Sequence, residues 1–243
     1  MRLASATTPF PAVPLPPIQP VILTSDGRRQ IWVQALQEAF TNQPGFLAPL
    51  VHQDLARAGA ARATQQAIQL ATRQAAGTPI LLLEDDVQPH PEMPGKVLQV
   101  QFPHRVAVIS FCDMREVEEY ARDGLYERSA LGSDGRGWWG NQALLIHPET
   151  AAVLAATDWF TATIEQARGV VVHRVAYEDG GLNCADIRLS LIVQHQPYRN
   201  RYAVHVPSLF LHLGHESLCF PGRSMGERAT RNWLESRSRY GIN

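Results

Sequence analysis

The side chains best equipped for chemistry stand together at Glu84-Asp85-Asp86, directly after the apolar run Ile80-Leu81-Leu82-Leu83. Three adjacent carboxylates repel one another, so burying them is costly unless a cation or hydrogen-bond donors neutralise them. A hard divalent cation, Mn²⁺ or Mg²⁺, suits such oxygen ligands and can bridge to a diphosphate, acting as a Lewis acid for a departing nucleotide. The competing reading is a solvated acidic turn that caps the next element. A second grouping lies far along the chain in Pro207-Ser208-Leu209-Phe210-Leu211-His212-Leu213-Gly214-His215-Glu216-Ser217. A histidine in an apolar stretch is more often a satisfied core residue than a ligand. Here two histidines flank a glycine, which permits a tight turn close to a phosphate. His212 could complete a carboxylate-bound metal site with a nitrogen, and the choice between His212 and His215 stays open.

Three further segments offer binding or proton transfer. In Gly137-Trp138-Trp139-Gly140-Asn141-Gln142, Trp138 and Trp139 could form a platform for the apolar face of a sugar, with Asn141 or Gln142 reaching its hydroxyls. The alternative is core filling, expected for at least one of the two tryptophans. A sugar transfer to a hydroxyl with inversion needs a carboxylate base. Asp186 is the first candidate and Asp179, in Glu178-Asp179-Gly180-Gly181, the second, each with helix capping or a surface ion pair as the alternative role. Thr24 to Arg29 follows an apolar run, where a loop commonly contacts a nucleotide, so Thr24 and Arg28 are nucleotide-binding candidates.

These residues need a frame. Val21-Ile22-Leu23-Thr24 reads as a buried strand, followed by a helix from Gln30 to Phe40 with Ile31, Ala35, Leu36 and Ala39 on one face. Residues Ala60 to Ala75 read as a helix with Ala67, Ile68 and Ala71 inward, stopped by Gly77-Thr78-Pro79. Ile80–Leu83 and Val106–Phe111 are short apolar runs of the kind found in central parallel strands. A strand from Ala143 to Ile146, a helix capped near Pro148-Glu149 and running to Ala156, and a helix from Ala185 to Val193 follow. Val204 and Val206 lead into Pro207, and Leu209 to Leu213 is a last apolar segment. Strand and helix alternate, with acidic residues at a strand's carboxyl end. This is the layout of an open α/β sheet whose ligand crevice lies there.

The chain of 243 residues, 45% hydrophobic and 19% charged, has ordinary globular composition and room for one sizeable domain. Its 22 basic and 23 acidic residues give a formal charge of −1, which excludes a global field toward nucleic acid or an anionic membrane. The 3 cysteines, Cys112, Cys184 and Cys219, lack CxxC spacing, which argues against a thiolate zinc site or a disulfide framework and for a reduced, cytoplasmic protein. No apolar stretch has the length of a signal peptide or a spanning helix. The expected organisation is a proline-rich arm over 1–19, a catalytic domain over 20–221 and a polar, arginine-rich tail over 222–243. The tail holds Arg223, Arg228, Arg231, Arg237 and Arg239, a local basic patch.

Taken in order, Leu83-Glu84-Asp85-Asp86-Val87, Trp139-Gly140-Asn141-Gln142-Ala143-Leu144-Leu145-Ile146 and Pro207 to Ser217 resemble motifs of the GT-A glycosyltransferase superfamily. The likeness is to its lipooligosaccharide-type and N-acetylglucosaminyltransferase-like branches and spans roughly residues 20 to 220. The resemblance implies a single α/β domain, a central mostly parallel sheet flanked by helices. It implies Asp86 and His212 as metal ligands, Asp85 facing the nucleotide ribose or the metal, and Asp186 as base. It also implies a nucleoside-diphosphate-sugar donor and a saccharide acceptor. A modified DNA base is the alternative acceptor, suggested by the arginine-rich tail. The charged stretch from Asp113 to Arg128 has no counterpart in that pattern. Two other functions compete: a metal-dependent nucleotidyltransferase, since acidic clusters also hold the metals of that reaction, and a non-catalytic carbohydrate-binding relative.

Overall fold

The computed structural model describes residues 2–3, 16–25, 29–56, 58–112, 123–130, 142–166, 171–172, 175–176 and 185–213. Among these, the strands in chain order are β1 (Arg2–Leu3), β2 (Gln19–Thr24), β3 (Leu50–Gln53), β4 (Ile80–Glu84), β5 (Val87–Pro89), β6 (Val106–Ser110), β7 (Gly124–Ser129), β8 (Ala143–Ile146), β9 (Val171–Val172), β10 (Val175–Ala176), β11 (Arg201–Val206) and β12 (Phe210–His212). The helices are α1 (Gln30–Phe40), α2 (Ala60–Gln74), α3 (Met93–Gln99), α4 (Pro148–Ala156), α5 (Trp159–Gln166) and α6 (Ala185–Gln194).

Eight strands form one sheet in the order β1-β7-β11-β6-β8-β4-β2-β3. All of them except β7 and β8 run in one direction: β2 pairs in parallel with β3 and β4, and β6 with β11, while β8 is inserted antiparallel between β4 and β6. The expected α/β sheet is present. The reversals of β7 and β8 are its departures from a simple parallel order, and the four apolar residues of β8 carry no mark of strand direction.

The central strands are apolar on both faces because helices cover both. In β4, Ile80 and Leu82 join a core with Ala67, Ile68 and Ala71 of α2 and Leu154 of α4. Leu81 and Leu83 turn the other way, toward Val33, Leu36 and Phe40 of α1 and Met93 and Val97 of α3. This is the period-two alternation of a strand, and each fully buried branched side chain stabilises the sheet by roughly 1.5–3 kcal/mol. Helix α2 follows the expected inward face and is followed by Gly77 at φ 78°, a conformation suited to glycine. The orphan carbonyls at the end of α4 are taken by side chains: Leu154 by the Trp159 indole at 2.9 Å, Ala155 by Gln69 at 3.0 Å and Thr157 by Gln65 at 2.7 Å. The two glutamine bonds lock α4 to α2.

Several expectations change. The inward face of α1 is Val33, Leu36 and Phe40, whereas Ile31 is 68% exposed and Ala35 is exposed. Ile18 and Gln19 are buried and β2 begins at Gln19, so the sheet starts inside the stretch expected to be an arm, and Arg2–Leu3 pairs with β7. Pro20 is tolerated because the β3 ladder begins only at Val21. The charged stretch ending at Arg128 supplies β7, antiparallel to β11. Helix α4 is capped by His147, whose ring accepts from the Glu149 N–H. The tail over 222–243, and with it any basic patch, lies outside the described residues.

Candidate active site at the carboxyl end of the central strands

Strands β2, β4 and β6 run the same way, so Thr24, Glu84 and Ser110 end them on one side of the sheet. The chain leaves β4 through Asp85 and Asp86 and enters β5. There the late segment returns: β12 pairs antiparallel with β5, with His212 opposite Val87, and the Leu213 N–H donates to the Asp86 carbonyl at 2.8 Å. The same segment is fastened to the end of β6, because the Leu209 N–H donates to the Phe111 carbonyl at 2.8 Å, and the His90 N–H donates to the Leu209 carbonyl at 2.9 Å. A short ribbon thereby delivers an imidazole to an acidic strand end from the far end of the chain. His212 Nε2 lies 3.3 Å from Asp86 Oδ2.

The three carboxylates have separate surroundings. Asp85 is 3% exposed, and both its oxygens are engaged: Thr24 Oγ1 donates to Oδ2 at 2.6 Å, and Arg29 Nη1 donates to Oδ1 at 2.6 Å. The Arg29 guanidinium also reaches Asp86 Oδ2 at 3.3 Å. Glu84 donates its N–H to the Gln142 carbonyl at 3.0 Å, which brings Gln142 beside the cluster. Gln142 is buried, and its Oε1 has no hydrogen-bond donor among the described residues.

Electrostatics follow from this crowding. Burial, reinforced by Asp86, Asp85 and Asp186 and opposed by His212, pushes the Glu84 carboxyl up to about 8, although the residue keeps some surface exposure. Burial also raises Asp85, because its bonds from Thr24 and Arg29 only partly offset desolvation. For His212 the balance is reversed: burial opposes the charged ring, but Asp86 and Glu84 outweigh it and raise its pKa. The cluster is short of positive charge.

Among the described residues, Glu84, Asp86 and His212 each present one ligand atom, all within 4.8 Å of one another. Two oxygens and one imidazole nitrogen form a donor set suited to Mn²⁺ or Mg²⁺. Two ligands of one such cation stand roughly 3 Å apart when each is about 2.1 Å from it, and the 3.3 Å between His212 Nε2 and Asp86 Oδ2 is of that size. His212 Nδ1 is buried with no hydrogen-bond partner among the described residues, so Nε2 is the ring nitrogen turned to the acidic group. The residues present fit a divalent cation.

The structure therefore brings together Thr24, Asp85, Asp86, Gln142 and His212. Asp186 opens α6, and its charge reaches Glu84. Arg28, Trp138, Trp139, Asn141, Asp179 and His215 lie outside the described residues. Sequence reasoning missed Arg29 as the partner of the acidic pair. The doublet Arg28-Arg29 was the available signal, but neither charge nor periodicity says which member of a turn points inward.

No protein-family model matches the chain, and no curated protein matches it. Among solved structures, a glycosyltransferase involved in the glycosylation of the major capsid of PBCV-1 superimposes with a TM-score of 0.47 at 12% sequence identity, covering 89% of this chain and 100% of the other. Likeness at that level says nothing of the reaction, which rests on the side chains themselves. Among the described residues no helix is long and apolar enough to cross a membrane.

Proposed function

We propose that this chain is a metal-dependent glycosyltransferase that moves a sugar from a nucleoside-diphosphate-sugar donor to an acceptor hydroxyl. The observation that carries the reading is the meeting of Asp86 and His212 at the carboxyl end of β4, beside Glu84. Asp86 and His212 would hold Mn²⁺ or Mg²⁺, with Glu84 beside them, and the bound cation would neutralise charge developing on the leaving diphosphate.

The remaining work falls to the chain's own side chains. Asp85, fixed by Thr24 and Arg29, presents a rigid carboxylate for the ribose of the donor. Gln142, with Trp138, Trp139 and Asn141 preceding it in sequence, serves the sugar or the acceptor. Asp186 receives the acceptor's hydroxyl proton as that oxygen attacks the anomeric carbon and the bond from carbon to the phosphate oxygen breaks, and Asp179 is the second candidate for this role. The acceptor of this reading is a saccharide.

Incubation with Mn²⁺ and a panel of uridine-, guanosine- and cytidine-diphosphate sugars, scored by nucleotide release, tests the proposal. Release from one donor, lost in D86N, is the expected result. No release from and no binding of any donor, with pyrophosphate released from a nucleoside triphosphate instead, would replace the reading by nucleotidyl transfer.

A further inference from the structure

Among the described residues, Arg29 brings a fixed positive charge to the acidic end of β4. Its side chain is 16% exposed, so the pairing is largely shielded from solvent and salt. Its contacts to the two aspartates are unequal. The 2.6 Å contact anchors the guanidinium on Asp85, whose other oxygen is already held by Thr24. The 3.3 Å contact goes to Asp86 Oδ2, the same oxygen that stands 3.3 Å from His212 Nε2. Asp86 Oδ2 is thus shared by the guanidinium and by the imidazole that would hold a metal cation.

A divalent cation among Glu84, Asp86 and His212 would sit a few ångströms from the guanidinium, and like charges that close repel strongly in a partly buried site. An anion with oxygens for both removes the conflict. A diphosphate has them, and a guanidinium presents planar donors suited to phosphate oxygens.

We propose that Arg29 couples divalent-cation binding to diphosphate binding, competing with the cation for Asp86 when no nucleotide is present and turning its longer contact to a phosphate oxygen when one is. Throughout, Asp85 keeps hold of the guanidinium. This inference rests on the proposed function, since it takes the Glu84, Asp86 and His212 group as the cation's seat. Its consequence is that cation and diphosphate each tighten the other by one and the same factor.

The test measures Mn²⁺ affinity, by the electron paramagnetic resonance of free Mn²⁺, with and without saturating uridine diphosphate. In the unaltered protein Mn²⁺ alone is expected to bind weakly and to tighten on the order of tenfold with the nucleotide. R29Q, which keeps a polar side chain without charge, is expected to bind Mn²⁺ alone about tenfold more tightly and to gain less from the nucleotide than the unaltered protein gains. R29K keeps the charge and is expected to retain weak binding of Mn²⁺ alone, which a purely structural role for Arg29 does not explain. If R29Q binds Mn²⁺ no more tightly than the unaltered protein, or keeps its full coupling, the inference is overturned and the metal site stands. If R29Q does not fold, R29K decides: Mn²⁺ alone binding as tightly to R29K as the unaltered protein binds it with nucleotide overturns the inference. Failure of the unaltered protein to bind Mn²⁺ under either condition removes the metal site and the coupling together.

Discussion

Replacing Thr24 by valine isolates the bond that holds Asp85. The two side chains share shape and β-branching, so β2 and its packing are kept while one donor is lost. That donor stands 2.6 Å from Asp85 Oδ2, with Thr24 5% and Asp85 3% exposed, so water cannot readily replace it. A hydrogen bond to a charged partner contributes about 1.5–3 kcal/mol. Arg29 still faces Asp85 Oδ1 in the variant, so the carboxylate keeps its counter-charge and the loss falls near the middle of that range, about 2 kcal/mol. In a chain of this length that corresponds to roughly 4–8 °C in Tm. Urea unfolding at neutral pH in the presence of a chelator measures it, with T24S as the control that restores the hydroxyl and is expected to lose less than about 1 kcal/mol. A loss in T24V below about 0.5 kcal/mol, or equal losses in T24V and T24S, would refute the claim that this hydroxyl fixes Asp85.

Other perturbations address the frame and the chemistry. Asp54 accepts from the Ala58 and Gly59 N–H groups at 2.9 and 3.2 Å and so fastens the turn into α2, and D54A should cost about 1–2 kcal/mol by thermal unfolding, with D54N losing less. His147 is held at about 4, chiefly by burial and then by Arg199, while its Nδ1 accepts the Glu149 N–H that starts α4. A histidine depressed below its unfolded value near 6.5 binds its proton preferentially in the unfolded chain, so its contribution to stability is complete above that value. It is lost as pH falls toward 4, on the order of 1 kcal/mol by pH 5 once solvent screening is discounted. H147N keeps an acceptor without the titration, and the acid slope of its unfolding curve should be shallower; an identical slope contradicts the assignment. D186N should lower kcat by about a hundredfold or more while leaving the donor KM within about threefold, and an unchanged kcat removes Asp186 as the base.

What could be read from the sequence follows from how each element is buried. Strands β2, β4 and β6 announce themselves because helices cover both their faces, leaving uninterrupted apolar runs. Strand β7, Gly-Leu-Tyr-Glu-Arg-Ser, is only partly buried and carries charges, so no apolar run marks it as a strand. Helix α3 contains Pro94 and Gly95, residue types that disfavour a helix interior, yet the proline lies in the first turn, where its missing N–H costs nothing. The face of α1 was misread because Ile31 is hydrophobic but exposed, and hydrophobicity alone does not establish burial. At the site, Glu84 to Asp86 and His212 were visible as residue types, whereas the β5 and β12 ribbon that joins them is a pairing of three-residue strands from distant parts of the chain. Such pairing is set by tertiary contacts that no local pattern records.

In the proposed function Asp86 and His212 share one divalent cation. Pulsed electron paramagnetic resonance of bound Mn²⁺, on protein labelled with ¹⁵N in its histidines, asks this directly. The prediction is a ¹⁵N coupling from a directly bound imidazole that disappears in H212N, together with Mn²⁺ affinity lost in D86N. Bound Mn²⁺ without a histidine coupling, or with a coupling and affinity untouched by these substitutions, would contradict the claim.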